Sequence, residues 1–510
     1  MQVLGGSTVN VDADQGAWTL DIDSGATVSV ASSGSLEIIE NVSGNAINID
    51  AGGELNIAGT VVTPSIGGSG GVTLSNGTLK IEETGTIASA ATTSDGTIDN
   101  AREAAVEQLT LGAGDTLNKA GAGTLVLSQA GGANSLAAGS LLNSQSGVIA
   151  AVNDATSNAV GEATVVINGG GLTLSASAAG SVAFDNAIIV NTSGAIQAAQ
   201  AAGALAGETV TLGGTNGISL ATGSTVELAT ADDYSMNLAG DVTGSGKLAI
   251  ADGANIALNG NVTPSFVEVQ GDSSQVSING TLAPSDSLTF VPTAANPNMT
   301  FPADLSGSYE VVIDGGAQGG VDGSVALTGS LSYTGVTRIV RGALVAPPSG
   351  LPGDFDLNGV VNGSDFVLWQ RDPSVGELSD WEANFGNSGG GSGGLPSASN
   401  IQLDGAPVTD DGRLDAAVIL VGDAATALTI GAGAGEVQWV RSGGFAASGA
   451  DEHTVALNGG NSLNWSSATN GFNGQLLQLG SAVATGHVNL TNDINLENAP
   501  RAIEVIDNED

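Results

Sequence analysis

The chain of 510 residues contains no cysteine, which excludes disulfide bonds and thiolate metal sites. Aromatic residues make up only 3% of it, whereas glycine, with 78 residues, is about twice as frequent as in an average protein. Hydrophobic residues reach 41%, so the composition is not that of a disordered chain. A core of Val, Ile, Leu and Ala with many glycine turns favours stacked short strands over a helical globule.

Basic residues are also scarce: Lys and Arg number 10 against 52 Asp and Glu, which leaves a net charge of −42 at pH 7. This balance argues against a nucleic-acid partner and against adhesion to anionic lipid, and it favours divalent cations. No apolar run approaches the length of a transmembrane helix, which needs about 20 residues. The first residues lack the regions of a signal peptide, and neither end resembles a polar cap. We therefore expect a chain whose signal has been removed or a piece of a longer protein. The uncapped ends suggest either a fragment or a protein whose ends are covered by neighbours.

Residues 1–348 repeat one short unit, a glycine or asparagine turn followed by a few residues that alternate between apolar and polar. Clear examples are residues 8–12, 26–30, 46–50, 54–57, 77–81, 123–127, 247–250, 255–258 and 276–278. Strand starts recur roughly every 8–12 residues, as in a sandwich, a barrel or a β-helix. Because so many similar units follow one another, the pattern favours a solenoid arm.

Two stretches of this arm depart from the strand pattern. Residues 99–108 combine an N-cap candidate with strong helix formers, which predicts a short helix. The alanine-rich residues 195–206 fit either a helix or a loop.

Two segments of the arm carry a family resemblance. Residues 117–128 (LNKAGAGTLVLS) and residues 327–345 (LTGSLSYTGVT, continuing to GALV) resemble the autotransporter-associated β-strand repeat. The resemblance implies a right-handed β-helix in a secreted, surface-associated protein. It does not imply a translocator barrel.

The densest chemistry lies in residues 353–386, GDFDLNGVVNGSDFVLWQRDPSVGELSDWEANFG. Its first part matches a twelve-residue calcium loop, with oxygen-bearing residues at positions 1, 3, 5, 9 and 12 and the turn glycine at position 6. We predict one Ca²⁺ held by Asp354, Asp356, Asn358, the carbonyl of Val360, Asn362 and Asp365, the last in place of the usual Glu. An Asx-rich turn without metal is the alternative interpretation.

A short amphipathic helix follows the loop, and a second helix is predicted to end at Gly386. Leu378, Trp381 and Phe385 fall on one face of the second helix. We expect Trp369 to pack against them as a small aromatic core for a unit that can bury little else.

These features together closely resemble a dockerin type I-like module of the kind frequent in secreted planctomycete proteins. The resemblance implies an EF-hand-like calcium site. In cellulosomal members it also implies cohesin binding through loop positions 10 and 11, which are here Gly363 and Ser364. Residues 377–386 keep the helix but have no second calcium loop, and the module is internal rather than C-terminal. A structural calcium staple, and docking of another copy or partner, therefore stay open as alternatives.

The module, bounded at residues 352–388, is followed by a Gly/Ser linker at 389–399 and a second β-rich arm at 400–510. The strand candidates of this arm are residues 427–430, 436–440, 476–479, 487–490, 494–496 and 503–506. The arm fits a solenoid or a sandwich, and residues 489–507 again resemble the autotransporter repeat.

No catalytic constellation stands out in the sequence. His453 and His487 are isolated, Arg338 and Arg341 are the only basic residues close together, and no nucleophile or phosphate-loop motif is present. The adjacent carboxylates at 232–233 and 410–411 fit solvated turns. A carbohydrate-active β-helix enzyme with a dockerin-like module remains the alternative, on fold analogy alone.

We thus predict an all-β protein: right-handed β-helix or solenoid arms interrupted by a small α-helical, EF-hand-like calcium module. The predicted function is a non-enzymatic, extracellular or cell-surface component of a filament, sheath, surface layer or adhesin. Open solenoid ends predict self-association, head to tail or as a filament. A cohesin-like protein, another surface protein and a polysaccharide are the further partners that the sequence leaves open.

Overall fold

The computed structural model describes residues 2–3, 8–11, 15–17, 19–38, 47–128, 133–154, 158–202, 204–231, 233–315, 323–345, 361, 363–371, 378–386, 395–405, 417–422, 426–448 and 452–506.

Short strands form where apolar and polar residues alternate, because alternation buries one face of the strand. In Thr27–Val30, for example, both valines are buried, whereas Thr27 and Ser29 are half-buried. In chain order the first strands are β1 (Gln2–Val3), β2 (Thr8–Val11), β3 (Gln15–Ala17), β4 (Leu20–Ile22), β5 (Thr27–Val30), β6 (Ser35–Ile38), β7 (Ile47–Ile49), β8 (Glu54–Ile57), β9 (Thr60–Thr63), β10 (Ile66–Gly68), β11 (Gly71–Leu74), β12 (Thr78–Ile81), β13 (Gly85–Ile87), β14 (Ser89–Thr92), β15 (Gly96–Asn100), β16 (Ala104–Val106), β17 (Leu109–Leu111), β18 (Thr116–Ala120), β19 (Thr124–Leu127), β20 (Ser135–Leu136), β21 (Leu141–Ser144), β22 (Val148–Asn153), β23 (Thr164–Asn168), β24 (Gly171–Ala176), β25 (Ser181–Phe184) and β26 (Ile188–Thr192).

The remaining elements include two α-helices between β41 and β42. They are β27 (Gly194–Ala198), β28 (Thr209–Leu212), β29 (Ile218–Leu220), β30 (Thr225–Thr230), β31 (Ser235–Leu238), β32 (Val242–Gly244), β33 (Lys247–Ile250), β34 (Ile256–Leu258), β35 (Phe266–Gln270), β36 (Val276–Ile278), β37 (Ser287–Val291), β38 (Asn298–Phe301), β39 (Glu310–Asp314), β40 (Ser324–Leu327), β41 (Thr337–Val345), α1 (Gly363–Arg371), α2 (Leu378–Asn384), β42 (Ile401–Leu403), β43 (Ala417–Val421), β44 (Thr426–Ile430), β45 (Glu436–Trp439), β46 (Gly443–Ala447), β47 (Glu452–Leu457), β48 (Leu463–Asn464), β49 (Leu477–Leu479), β50 (His487–Leu490), β51 (Ile494–Asn495) and β52 (Ile503–Val505).

The chain forms two compact units. Unit 1 comprises residues 1–249, 254–264 and 279–281, and unit 2 comprises residues 250–253, 265–278 and 282–510. Both consist of parallel strands that pair from one coil to the next.

Most coils of unit 1 contribute one strand to each of three parallel sheets. Sheet 1 contains β1, β4, β7, β10, β13, β16, β19, β22, β24, β27 and β30. Sheet 2 contains β2, β5, β8, β11, β14, β17 and β20, and in later coils β25, β28, β31 and β34 take its place. Sheet 3 contains β3, β6, β9, β12, β15, β18, β21, β23, β26, β29 and β32.

Columns of aliphatic side chains fill the interior of unit 1. In sheet 3, Val61, Leu79 and Ile98 lie in register on successive strands and are each 0% exposed. Leu20 and Ile47 form part of a similar column in sheet 1. Full burial of one such side chain stabilises the fold by about 1.5–3 kcal/mol, so the repeated column is the main source of stability.

Unit 2 has the same parallel pairing in three sheets. Sheet 4 contains β35, β37, β39, β41, β42 and β45, and sheet 5 contains β38, β40, β41, β43, β46, β49 and β52. Sheet 6 contains β44, β47 and β50. The long strand β41 belongs to both sheets 4 and 5, and it turns between them at Gly342, whose φ of 84° favours glycine.

The prediction of an all-β solenoid is confirmed in this coarse form, since the structure is almost all β with long parallel sheets. The described strands from β42 to β52 also pair in parallel, whereas the sheets of a β-sandwich are antiparallel. The asparagine turns act as expected at Asn76, which has a φ of 59°.

The predicted helix at residues 99–108 is wrong. Asp99 and Asn100 end strand β15, and Ala104–Val106 is strand β16, which pairs with β13 and β19. Ala104 and Val106 are buried in the interior column. Stacking between coils therefore overrides the local helix propensity.

Residues 195–206 are neither a helix nor a simple surface loop over their whole length. Their first residues belong to β27, and Ala204 then packs on the outer side of sheet 1 against Val126, Ala150 and Val152. The alanines are thus explained by close packing on a sheet rather than by helix formation.

Within the described ranges, no helix is both long enough and apolar enough to cross a membrane.

Candidate functional site

The two helices form an insertion between consecutive strands of one sheet. Strand β41 before the insertion pairs directly with β42 after it, with Thr337 opposite Ile401 and Ile339 opposite Leu403. The other half of β41 pairs with β43, with Gly342 opposite Ala417. The strands on either side of the helices therefore belong to one stack, and the chain resumes its register after the insertion.

An aromatic cluster joins the two helices. Phe366 lies 4.8 Å from Trp381 and 6.0 Å from Trp369, measured between ring centroids, and Trp381 lies 4.8 Å from Phe385. The expected aromatic core is present, but Phe366 rather than Trp369 provides the ring that bridges the helices. Phe385 remains 58% exposed, so the cluster also presents apolar surface.

Most of the predicted calcium ligands lie outside the described residues: Asp354, Asp356, Asn358, Val360 and Asn362. Helix α1 begins at Gly363, the tenth position of the predicted loop, and Asp365 falls in its first turn. Gly363 is exposed, and the side chains of Ser364 and Asp365 lie outside the described part.

The loop and the second helix meet through the backbone. Val361, the eighth loop position, is 0% exposed, and its carbonyl accepts a hydrogen bond of 2.8 Å from the N–H of Gly386. Gly386 has a φ of 86°, as the predicted stop of α2 requires. Among the described residues, no group of three or more His, Cys, Asp or Glu could hold a metal ion.

A buried polar network clamps the segment that returns from the insertion. The hydroxyl of Ser399 donates to the carbonyl of Gly335 at 2.6 Å and lies 2.8 Å from the hydroxyl of Thr337. The Thr337 hydroxyl also lies 2.6 Å from that of Tyr333, whose pKa is raised by burial. All three side chains are 0% exposed, so their hydrogen bonds replace water that cannot reach them.

Asn400 extends this network to the next coil. Its carbonyl accepts a 2.8 Å hydrogen bond from the N–H of Thr337, and its Nδ2 donates to the carbonyls of Gly431, Gly433 and Glu436 at 3.0–3.2 Å. The insertion is therefore tied at its C-terminal base to the coils before and after it.

A row of alternating charges crosses sheet 4. Arg338 Nε donates to Glu310 Oε1 at 2.7 Å, and its Nη1 lies 3.4 Å from Asp404 Oδ2. Arg441 Nε donates to Asp404 Oδ1 at 2.5 Å. Burial would raise the pKa of Asp404, but the hydrogen bonds and charges of Arg441 and Arg338 outweigh it and hold the pKa below its usual range.

This charge row is the nearest approach to an enzyme-like cluster in the described residues, and sequence reasoning missed it. Its members are 28 to 66 residues apart, and the insertion lies between two of them. A carboxylate with a lowered pKa that already accepts two ion pairs is a poor general acid near neutral pH. These ion pairs join successive coils.

The two histidines do not form a site together. His453, on β47, is buried and only 3% exposed, whereas His487 is exposed on the neighbouring strand β50. In this pairing His453 lies opposite Val488 and His487 lies opposite Glu452. Of the adjacent carboxylates, Asp233 is exposed in a turn with a φ of 62°, and residues 232 and 410–411 lie outside the described ranges.

Sequence reasoning also missed a fully buried lysine. Lys119, 0% exposed, stands in an interior column between Ile98 and Ser144. Its Nζ donates to the carbonyls of Ala120 at 2.5 Å, Gly121 at 2.8 Å and Ser146 at 3.2 Å. Burial lowers the pKa of Lys119 to about 8, against the opposing charge of Asp99. Only its position in the alternating pattern of β18 could have indicated that it points inward.

The chain matches no family model, and neither a curated protein nor a solved structure matches it.

Proposed function

We propose that this chain is a structural component of an extracellular or cell-surface assembly, built as a β-solenoid with a calcium-stabilised helical insertion. The observation that supports it most is the difference between the inward and outward side chains of the strands. Most inward positions are aliphatic, and many outward positions carry small polar residues. In sheet 3, Ser35, Thr60, Thr78 and Thr97 lie in register on successive coils. Such a chain builds a rigid, hydrated scaffold. Its polar groups are repeated from coil to coil rather than gathered in one site.

Side-chain amides strengthen the outward rows. Asn143 Nδ2 donates to Asn118 Oδ1 at 2.7 Å, and Asn168 Nδ2 donates to Asn143 Oδ1 at 2.6 Å. Ladders of this kind link each coil to the next in the direction of stacking. The carboxylates and guanidinium groups of the charge row on sheet 4 pair in the same direction, which supports a structural role over catalysis.

The insertion is proposed to be the EF-hand-like, dockerin-related calcium module, and the coils are proposed to wind in the right-handed sense. The calcium shell comprises Asp354, Asp356, Asn358, the Val360 carbonyl, Asn362 and Asp365. The start of α1 at the tenth loop position and the bond between Val361 and Gly386 support it. Gly363 and Ser364, at the start of α1, are where a cohesin-like or other surface partner would dock.

Calorimetric titration of the full chain with Ca²⁺ tests the module. We expect one strong site, loss of that site in Asp354→Asn, because the first loop position requires a carboxylate, and no change in Glu382→Gln, which removes the same charge from an exposed position on α2. Acidic surface carboxylates elsewhere would bind calcium only weakly. Equal calcium binding by both variants would exclude the proposed loop.

Self-association is proposed to use the coil that contains β52. This strand pairs with β49, and its alternate residues Ile503 and Val505 are 50% and 72% exposed. Leu477, which lies opposite Ile503 on the neighbouring strand β49, is only 1% exposed. A second copy that continued the parallel stack would bury this apolar surface and pair the strand edge.

Light scattering over a concentration series, with Ca²⁺ and with chelator, tests association. We expect a mass above that of the monomer that grows with salt, because salt screens the repulsion between chains of charge −42. The double variant Ile503→Lys and Val505→Lys should associate less, and Val440→Lys, at a 36% exposed position, serves as the control. A strict monomer under every condition would refute the assembly proposal.

A further inference from the structure

A shallow groove lies on the outer side of sheet 3 in unit 1, with a volume of ≈ 350 Å³. Its floor is formed by the outward residues of three successive strands, Ile189 on β26, Ser219 on β29 and Thr243 on β32, which lie in register. One wall is formed by two turns that precede these strands and include Thr215 and Asp241. The groove therefore brings side chains from three coils to one place.

The lining has a defined chemical character. Ser219, Thr243 and Thr215 carry hydroxyl groups, which both donate and accept hydrogen bonds, and Asp241 carries an exposed carboxylate. Ile189, 38% exposed, supplies an apolar contact at one end of the floor, beside Ser219. No basic residue lines the groove. This set suits a small, neutral ligand with many hydroxyl groups and one apolar face, and it disfavours anions.

The polar groups are held in place before any ligand arrives. Asp241 Oδ1 accepts hydrogen bonds from the N–H of Asn261 at 2.8 Å and from its Nδ2 at 3.1 Å, and Oδ2 keeps its lone pairs for a ligand. Asp185 fixes the other turn, because it accepts from the N–H of Thr215 at 2.7 Å and from its hydroxyl at 3.1 Å. The Thr215 oxygen can still accept a bond from a ligand.

The backbones of the two turns also lie close together. A Cβ at Gly217 would lie 2.1 Å from the carbonyl of Asp241, and a Cβ at Gly240 would lie 1.9 Å from that of Gly213. The turns thus approach each other closely, and glycine alone permits the contact. A rigid wall of this kind lowers the entropy lost on binding.

We propose that this groove binds one neutral sugar residue of a glycan. The apolar face of the pyranose ring would lie on Ile189, and adjacent ring hydroxyls would donate to Asp241 Oδ2. Ser219 and Thr243 would bond the remaining hydroxyls along the floor. The groove lies in unit 1 and shares no residue with the calcium loop or with β52, so it gives the scaffold a binding activity that does not depend on either.

Methyl-labelled isoleucine provides a direct test, since Ile189 is in the floor. Methyl glycosides of glucose, galactose and mannose are titrated against the full chain, with methyl glucuronide as the anionic comparison. An open groove with few polar groups should bind in the millimolar range. We expect at least one neutral glycoside to shift the Ile189 methyl resonance in a saturable way, and the glucuronide to bind more weakly.

Three variants decide whether the shift comes from the groove. Asp241→Asn and Thr243→Val should each weaken binding, the former about tenfold because it removes a charged acceptor. Asp233→Asn removes the same charge from an exposed turn of the same unit and should bind as the wild type does. Thr243→Val keeps the shape of an exposed side chain, so it retains the fold even if Asp241→Asn disturbs the bonds to Asn261.

Absence of saturable binding by every neutral glycoside overturns the proposal, as does equal binding by both groove variants and the wild type. Preferential binding of the glucuronide overturns it too, because the lining is acidic. None of these results bears on calcium titration or light scattering, so the scaffold proposal and the sugar proposal fail separately.

Discussion

Replacement of the buried Lys119 by methionine should remove a pH dependence from the stability of unit 1. The pKa of this lysine falls from 10.5 to about 8 on folding, which amounts to roughly 3 kcal/mol at about 1.4 kcal/mol per unit. Below pH 8 the folded protein carries a desolvated cation, and the penalty is complete. Between about pH 8 and 10.5 the folded state releases its proton before the unfolded state does, so stability rises with pH.

The expected rise in the free energy of unfolding between pH 7.5 and 9.5 is about 2 kcal/mol for the wild type. In Lys119→Met this rise should disappear. The window avoids the tyrosines, since burial raises the pKa of Tyr309 to about 12 and its effect begins only above pH 10. Hydrogen exchange of Thr116–Ala120 and Leu141–Ser144 measures the effect locally, because these strands surround the lysine.

Lys80→Met is the matched control for this experiment. Lys80 belongs to β12 of the same sheet, but its side chain is 43% exposed and lies 3.2 Å from Glu82. In Lys80→Met the free energy of unfolding should rise between pH 7.5 and 9.5 by the same amount as in the wild type. If wild type and Lys119→Met showed the same pH dependence, the lysine would not be desolvated and the reasoning would be wrong.

Two further substitutions, at Gly335 and Asn400, test the packing of unit 2, and a third at Gly71 of unit 1 is a control. Gly335→Ala would place a Cβ 1.8 Å from the carbonyl of Tyr309, so we expect a loss of about 3 kcal/mol or more in thermal unfolding. Gly71→Ala, where nothing lies within 4 Å, should melt within about 1 kcal/mol of the wild type, and similar losses at both positions would contradict the structure. Asn400→Ala should lower the free energy of unfolding by about 1–3 kcal/mol, because it removes the amide that pairs the carbonyls of Gly431, Gly433 and Glu436. The fluorescence of the buried Trp439 reports that loss, and an unchanged midpoint would refute the role of the network.

Local alternation was enough to locate many strands. The candidates at residues 54–57, 247–250, 276–278 and 487–490 coincide with β8, β33, β36 and β50, and most others differ by one residue at one end. The pattern succeeds because a strand with one buried face must alternate whatever its partner is. Helix propensity failed at residues 99–108 for the same reason, since burial of Ala104 and Val106 in the stack outweighs a preference of a few tenths of a kcal/mol per residue.

The candidate sites divide in a similar way. The predicted calcium loop is a local motif, so its proposed ligands follow from spacing alone, and the titration is what tests them. The charge row of Arg338 and Asp404 could not be predicted, because the helical insertion separates its members along the chain. The groove at Ile189 and Thr243 required the register of three coils, which no local pattern specifies.

By itself the sequence determined the strand-rich class of this protein, its glycine turns, its acidity and the place of its calcium-loop motif. These depend on composition and on neighbours within a few residues. Only the tertiary structure decided which strands pair, because the partners lie 18 residues apart at Ser75 and Thr93 but 25 apart at Asn118 and Asn143. It also decided that the helices interrupt one stack between β41 and β42 and that Lys119 is sealed inside another. The physical reason is that coil length varies with each turn, so register is set by burial of the aliphatic columns rather than by any regular spacing in the chain.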